Sequence, residues 1–134
     1  MSLPCIKMNT VNALIVDDVE SVRTYQKMLL VKLGFDSVDT VCNGVQAKEQ
    51  LQSKYYQVML LDIKLPDTDG MSILRWVREN YPDIQVIMCT ANSTEKNVRE
   101  AISLGAKGFL AKPIMISNFL ELLQRLGFDT TGFK

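Results

Sequence analysis

The chain has 134 residues, 47% of them hydrophobic and 22% charged, which fits one ordinary globular domain with a single core. Fifteen basic residues balance fifteen acidic ones, so the formal charge is zero and the basic excess expected of a nucleic-acid binder is missing. Histidine is absent, which excludes imidazole bases, Ser-His-Asp triads, histidine metal sites and phosphohistidine carriers; chemistry must run on Asp, Glu, Lys, Ser, Thr or Cys.

The opening, MSLPCIKMN, has no periodicity and is set aside as a flexible arm covering residues 1–10. It lacks an apolar signal core, and no stretch of the chain approaches the about 18 apolar residues of a membrane span, so a cytoplasmic protein without a membrane partner is expected. NALIVDD (12–18) is an apolar run ending in two acids and reads as a buried strand. Over 21–33, Val22, Tyr25, Met28, Leu29 and Leu33 recur at helical spacing, and Gly34 sits where a helix-terminating glycine belongs. SVDTVC (37–42) is a second strand, Asn43-Gly44 a turn or helix start, and 45–55 an exposed helix.

VMLL (58–61) is a third, fully apolar strand that ends in Asp62. Pro66 and Gly70 then break the chain before a helix over 71–80, and Tyr81-Pro82-Asp83 breaks it again. Asp67-Thr68-Asp69-Gly70 reads as a turn and helix start rather than a calcium loop, because position 78, where an EF-hand needs its last acid, is Arg. IQVIMCT (84–90) is the fourth strand. Asn92 with Glu95 three residues on predicts a capped helix start, with the helix reaching Leu104 before Gly105. KGFLA (107–111) is the fifth strand, and after Pro113 a last helix over 116–126 ends at Gly127, leaving 128–134 as a tail. Cys5, Cys42 and Cys89 are odd in number with no C-x-x-C, so they read as reduced thiols rather than a disulfide frame or zinc site. Trp76 and the methionines read as packing residues.

Apolar strands alternating with amphipathic helices predict an α/β fold with a parallel sheet covered on both faces. Ligands of such sheets sit at the carboxyl ends of the strands. The informative polar residues there are Asp17 and Asp18 from the first strand, Asp62 from the third, Thr90 from the fourth and Lys112 after the fifth. If they converge, the strand order is 2-1-3-4-5. Three gathered carboxylates repel one another and call for a cation, and all-oxygen ligands suit Mg2+. A carboxylate can also attack phosphorus, while a lysine and a threonine supply donors to phosphoryl oxygens.

On these residues the chain resembles the receiver domains of two-component response regulators, of the single-domain chemotaxis type. LIVDDVESVR, VMLLDIKLPDTDGM, VIMCTA and GAKGFLAKP follow one another in the family's order over about residues 11–126, within a domain of 11–127. The resemblance implies a doubly wound (βα)5, flavodoxin-like three-layer sandwich. It implies that Asp62 is the phosphoacceptor, supplied by a histidine kinase or a histidine phosphotransfer protein. Asp17, Asp18, Asp62 and the backbone carbonyl of Lys64 would hold Mg2+. Lys112 would pair with the phosphoryl group, and Thr90 and the aromatic Phe109 would carry the switch to the surface of the fourth helix, fifth strand and fifth helix.

Such a protein is a switch rather than an enzyme, assisting only its own phosphorylation and dephosphorylation. Its partner would be a downstream protein, not nucleic acid, and it would be a monomer or a phosphorylation-dependent dimer. Phe109 stands where the family often has Tyr, so it packs without a hydroxyl to hydrogen-bond. A cation at Lys64 would screen the phosphoryl charge or obstruct attacking water, and Asn92 offers no acid to activate that water, which predicts slow loss of the phosphoryl group. A dehalogenase-type phosphatase would need D-x-D where Asp17-Asp18 are adjacent, and an FMN carrier would need a Ser/Thr/Gly-rich loop where DDVESV is acidic. A scaffold that is never phosphorylated would not need the full acid set. Only FDTTGFK follows the last helix, so the chain is expected to be a stand-alone regulator or a receiver cut from a longer protein.

Overall fold

A computed structural model describes residues 6–91 and 94–131. Five parallel strands form one sheet: β1 (Asn12–Val16), β2 (Ser37–Val41), β3 (Val58–Leu61), β4 (Gln85–Thr90) and β5 (Gly108–Ala111). Their order is β2-β1-β3-β4-β5, as convergence of the polar strand ends requires. Between and after them run α1 (Glu20–Lys32), α2 (Gly44–Ser53), α3 (Gly70–Asn80), α4 (Glu95–Ser103) and α5 (Ile116–Arg125).

The strands are apolar throughout because helices cover both faces. On one face Ile15, Leu60, Ile87 and Cys89 pack with Leu30 and Leu33 of the α1 region and with Phe119, Leu122 and Leu123 of α5. On the other, Leu14, Met59, Leu61, Val86 and Met88 pack with Ala47 and Leu51 of α2, Ile73, Leu74 and Val77 of α3, and Ala101 of α4. All four residues of β3 are buried, each contributing about 1.5–3 kcal/mol on transfer from water. Gly34, Gly105 and Gly127 end α1, α4 and α5 with φ of 92°, 102° and 92°, a region in which a Cβ is strained.

Three expectations change. First, α1 buries Gln26 and Leu30, while Tyr25 and Met28 are exposed. The helix carries more apolar residues than one face can hold, so spacing alone chose the wrong edge of the stripe. Second, α4 is capped by Thr94, whose hydroxyl accepts from the Asn97 amide at 3.2 Å. Asn92, expected as the cap, lies outside the described residues.

Third, the segments expected as a loose arm and tail are joined. Ile6–Lys7 pairs in parallel with Phe128–Asp129, and the Ile6 amide donates to the Gly127 carbonyl at 2.9 Å. Met8 and Phe128 are buried in the α1/α5 side of the core. Two residues of ladder are too short to leave a periodic trace, and hydrophobic burial supplies what the pairing lacks. Residues 1–5 of the expected arm, including Cys5, and 132–134 of the expected tail lie outside the described residues.

The two-residue ladder is therefore structural. Replacement Phe128→Ala is expected to cost about 3 kcal/mol of unfolding free energy. Urea denaturation followed by circular dichroism measures it; an unchanged midpoint would show that the tail does not contribute to the core.

Candidate acid site at the carboxyl ends of the strands

Register brings the acids together. Val16 of β1 pairs with Leu61 of β3, so the next residues, Asp17 and Asp62, leave the sheet side by side. The Asp62 amide still donates to the Val16 carbonyl at 3.1 Å, and the Asp17 amide to the Val41 carbonyl at 3.2 Å. Both residues are almost wholly buried, at 1% and 6% exposure, whereas Asp18 is open to solvent. Asp17, Asp18 and Asp62 each offer an oxygen, and these oxygens lie within 4.8 Å of one another.

Lys112 answers the resulting charge. Its Nζ donates to Asp62 Oδ2 at 2.8 Å and to Asp17 Oδ2. Burial works against its charge, but hydrogen bonds and attraction from the two carboxylates prevail and hold the ammonium above the usual lysine value. Three carboxylates against one ammonium leave two negative charges uncompensated. An all-oxygen donor set with that deficit fits a hard divalent cation such as Mg2+.

Residues that the sequence did not single out hold this arrangement. Asp17 Oδ1 accepts from the Val19 amide at 2.9 Å, which turns Oδ2 toward Lys112. Arg23 Nη1 donates to the Asp17 carbonyl at 2.7 Å, and the Tyr25 hydroxyl to the Ile114 carbonyl at 2.8 Å. Thus α1 ties down both the acid pair and the loop that follows Lys112. Periodicity could not have revealed the Tyr25 tether, because it joins groups 89 positions apart in the chain.

Thr90 ends β4 buried at 2% exposure, and its carbonyl accepts from the Lys112 amide at 2.9 Å. Phe109 is half-buried on β5, opposite Met88, on the sheet face shared with α4. Lys64 is exposed, with its amide 3.4 Å from Asp62 Oδ1. Gly70 starts α3 so close to the phosphoacceptor candidate that a Cβ there would lie 2.1 Å from the Asp62 carbonyl oxygen. Cys89 lies beneath the cluster, and burial pushes its thiol well above the ordinary range, consistent with an inert core thiol. Asp67, expected only to build a turn, instead reaches α2.

Comparisons with known proteins agree with the geometry. A family model described as the response regulator receiver domain matches residues 13–124. The chemotaxis protein CheY of Bacillus subtilis (strain 168) is 35% identical over 112 residues, spanning 84% of this chain and 93% of its own length. Among solved structures, the chemotaxis response regulator CheY4 of Vibrio cholerae is 28% identical with a TM-score of 0.78, covering 87% of this chain and 98% of that one. The CheX-CheY-BeF3-Mg complex of Borrelia burgdorferi gives 29% identity and a TM-score of 0.81, covering 87% and 88%.

Replacing the cation tests the electrostatic account. Lys112→Met should lower unfolding free energy by about 3 kcal/mol by leaving two buried carboxylates unpaired, with part restored by millimolar Mg2+. Because the Lys112 value is raised on folding, its contribution is complete below the usual lysine value of 10.5 and fades as pH rises through the folded value. Urea titrations at several pH values should therefore show a constant gap between the two proteins through neutrality, narrowing only in alkali.

Proposed function

Because this chain belongs to the response regulator receiver domain family, we propose that it is a phosphorylation-dependent signalling switch whose phosphoacceptor is Asp62. The observation that carries the reading is the Lys112 ammonium bridging the buried carboxylates of Asp17 and Asp62 at the ends of adjacent strands. The donor is a histidine kinase or a histidine phosphotransfer protein. An Asp62 oxygen forms a bond to phosphorus while the donor's P–N bond breaks, and the product is an acyl phosphate. Such a transfer asks mainly for positioning and charge neutralisation, which a buried acid beside a fixed ammonium provides.

Asp17, Asp18, Asp62 and the Lys64 carbonyl would hold Mg2+, which when bound neutralises charge on the transferring group. A relative solved with BeF3 and Mg supports that assignment. Lys112 leaves one carboxylate to pair with a phosphoryl oxygen. Thr90 donates its hydroxyl to another, and half-buried Phe109 moves further inward, changing the surface formed by α4, β5 and α5. The readout is a protein partner in the cytoplasm, met by a monomer or a phosphorylation-dependent dimer. This is a local charge change biasing a two-state element.

Incubation with acetyl phosphate and Mg2+, followed by intact-protein mass spectrometry, is expected to give a single phosphoryl adduct on wild type and none on Asp62→Asn. No adduct on wild type, or one that persists on Asp62→Asn, removes the central assignment.

Lys64 is exposed two positions after Asp62, with its backbone amide 3.4 Å from Asp62 Oδ1. A side-chain ammonium reaching the phosphoryl group from there would screen its charge and crowd attacking water, so the acyl phosphate should last minutes or longer. Lys64→Ala is expected to shorten the half-life severalfold. A wild-type half-life of seconds in a radiolabel decay assay would contradict this.

A further inference from the structure

The carboxylate of Asp67 does not serve its own loop. Oδ1 accepts from the Gly44 amide at 2.8 Å and Oδ2 from the Val45 amide at 2.9 Å, partners 23 and 22 positions away in the chain. These are the first two amides of α2, which have no intrahelical acceptor. Asn43 takes only the Gln46 amide, at 2.8 Å. Hydrogen bonds from the Gly44 and Val45 amides hold the Asp67 carboxyl below the usual carboxylate range, although the group is exposed.

The same junction is sterically tight. A Cβ on Gly44 would lie 2.5 Å from Thr68 Cγ2 and 3.1 Å from Ile73 Cδ1, so the start of α2 presses directly on the loop. At its base the loop is closed by the Gly70 amide donating to the Ile63 carbonyl at 2.6 Å and by a bridge between Lys64 and Asp69. The segment from Ile63 to Asp69 is thus held at its base by α3 and at its tip by α2. Lys64 sits at the base of this loop, on the strand-end side of the tip that Asp67 holds.

We propose that Asp67 is a positioning residue for the divalent-cation site: by clamping the first amides of α2 it fixes the lateral position of the loop, and so of the Lys64 backbone. This rests on reading the acid cluster as an Mg2+ site. Mg2+ demands near-ideal octahedral geometry, whereas Ca2+ tolerates variable coordination. Loosening the loop tip therefore penalises Mg2+ more than Ca2+, a signature that simple destabilisation of the domain would not produce.

The test is isothermal titration of the whole chain with Mg2+ and with Ca2+. Asp67→Ala should weaken Mg2+ binding about tenfold, as removal of an orienting partner does at metal sites, and Ca2+ binding less. Asp67→Asn keeps one acceptor oxygen and should fall between Ala and wild type, which preserves the test if Ala folds poorly. Gly44→Ala pushes on the loop with the carboxylate intact and should weaken Mg2+ binding in the same sense. Lys54→Ala, which removes an ion pair with Asp39 on the far side of α2, serves as the stability control and should bind Mg2+ as wild type does. Asp67→Ala with wild-type Mg2+ affinity, while hydrogen exchange shows the Gly44 and Val45 amides released, would overturn the clamp alone. A wild-type chain that takes up no Mg2+ would overturn the metal-site reading and the clamp with it.

Discussion

Lys112 reaches from the end of β5 to the carboxylates of Asp17 and Asp62, and much of the molecule is arranged to permit that contact. At an effective dielectric near 20, two carboxylate oxygens roughly 5 Å apart repel by about 3 kcal/mol. A sheet buried on both faces offers them little water in return. The fold accepts this because the strand order sets β1 beside β3 and carries the lysine across the rim from β5. The Arg23 guanidinium on the Asp17 carbonyl and the Val19 amide on its carboxylate then fix which oxygen meets the ammonium.

The two sheet faces divide the labour. Asp17, Asp62 and Cys89 follow or occupy strand positions whose neighbours pack toward α1 and α5, while Thr90 alternates with Cys89 and shares its face with Met88, Phe109 and α4. The charged group and the residues proposed to respond to it therefore lie on different sides of one sheet rim.

The architecture was legible because each of its signals is local. Fully apolar runs marked β1, β3 and β4, and the glycines that end α1, α4 and α5 stood where a left-handed residue was needed. The acid cluster was legible because its polar residues each end or follow an apolar strand, where ligands of such sheets sit. What remained hidden depends on distant partners. Asp67 looked like a turn former because its acceptor role needs α2 to be in place, and the Thr94 cap of α4 went unnoticed although it directly precedes the first helical turn. Phe128 and Met8 carried no period to betray their burial. Tyr25 scored as apolar, yet the fold uses its hydroxyl as a tether.

The pairing of Ile6–Lys7 with Phe128–Asp129 has a topological consequence. Neighbouring strands lie roughly 4.8 Å apart, so residues 128–129 return beside residues 6–7. It does so at the rim where the strands begin, opposite the acids. Positions 6 and 129 can accordingly be joined by a short linker and the chain reopened elsewhere, since circular permutation is best tolerated where ends already meet. Cargo or a surface attached at that rim would leave the carboxyl edge facing outward, so the molecule has a built-in handle and a working end.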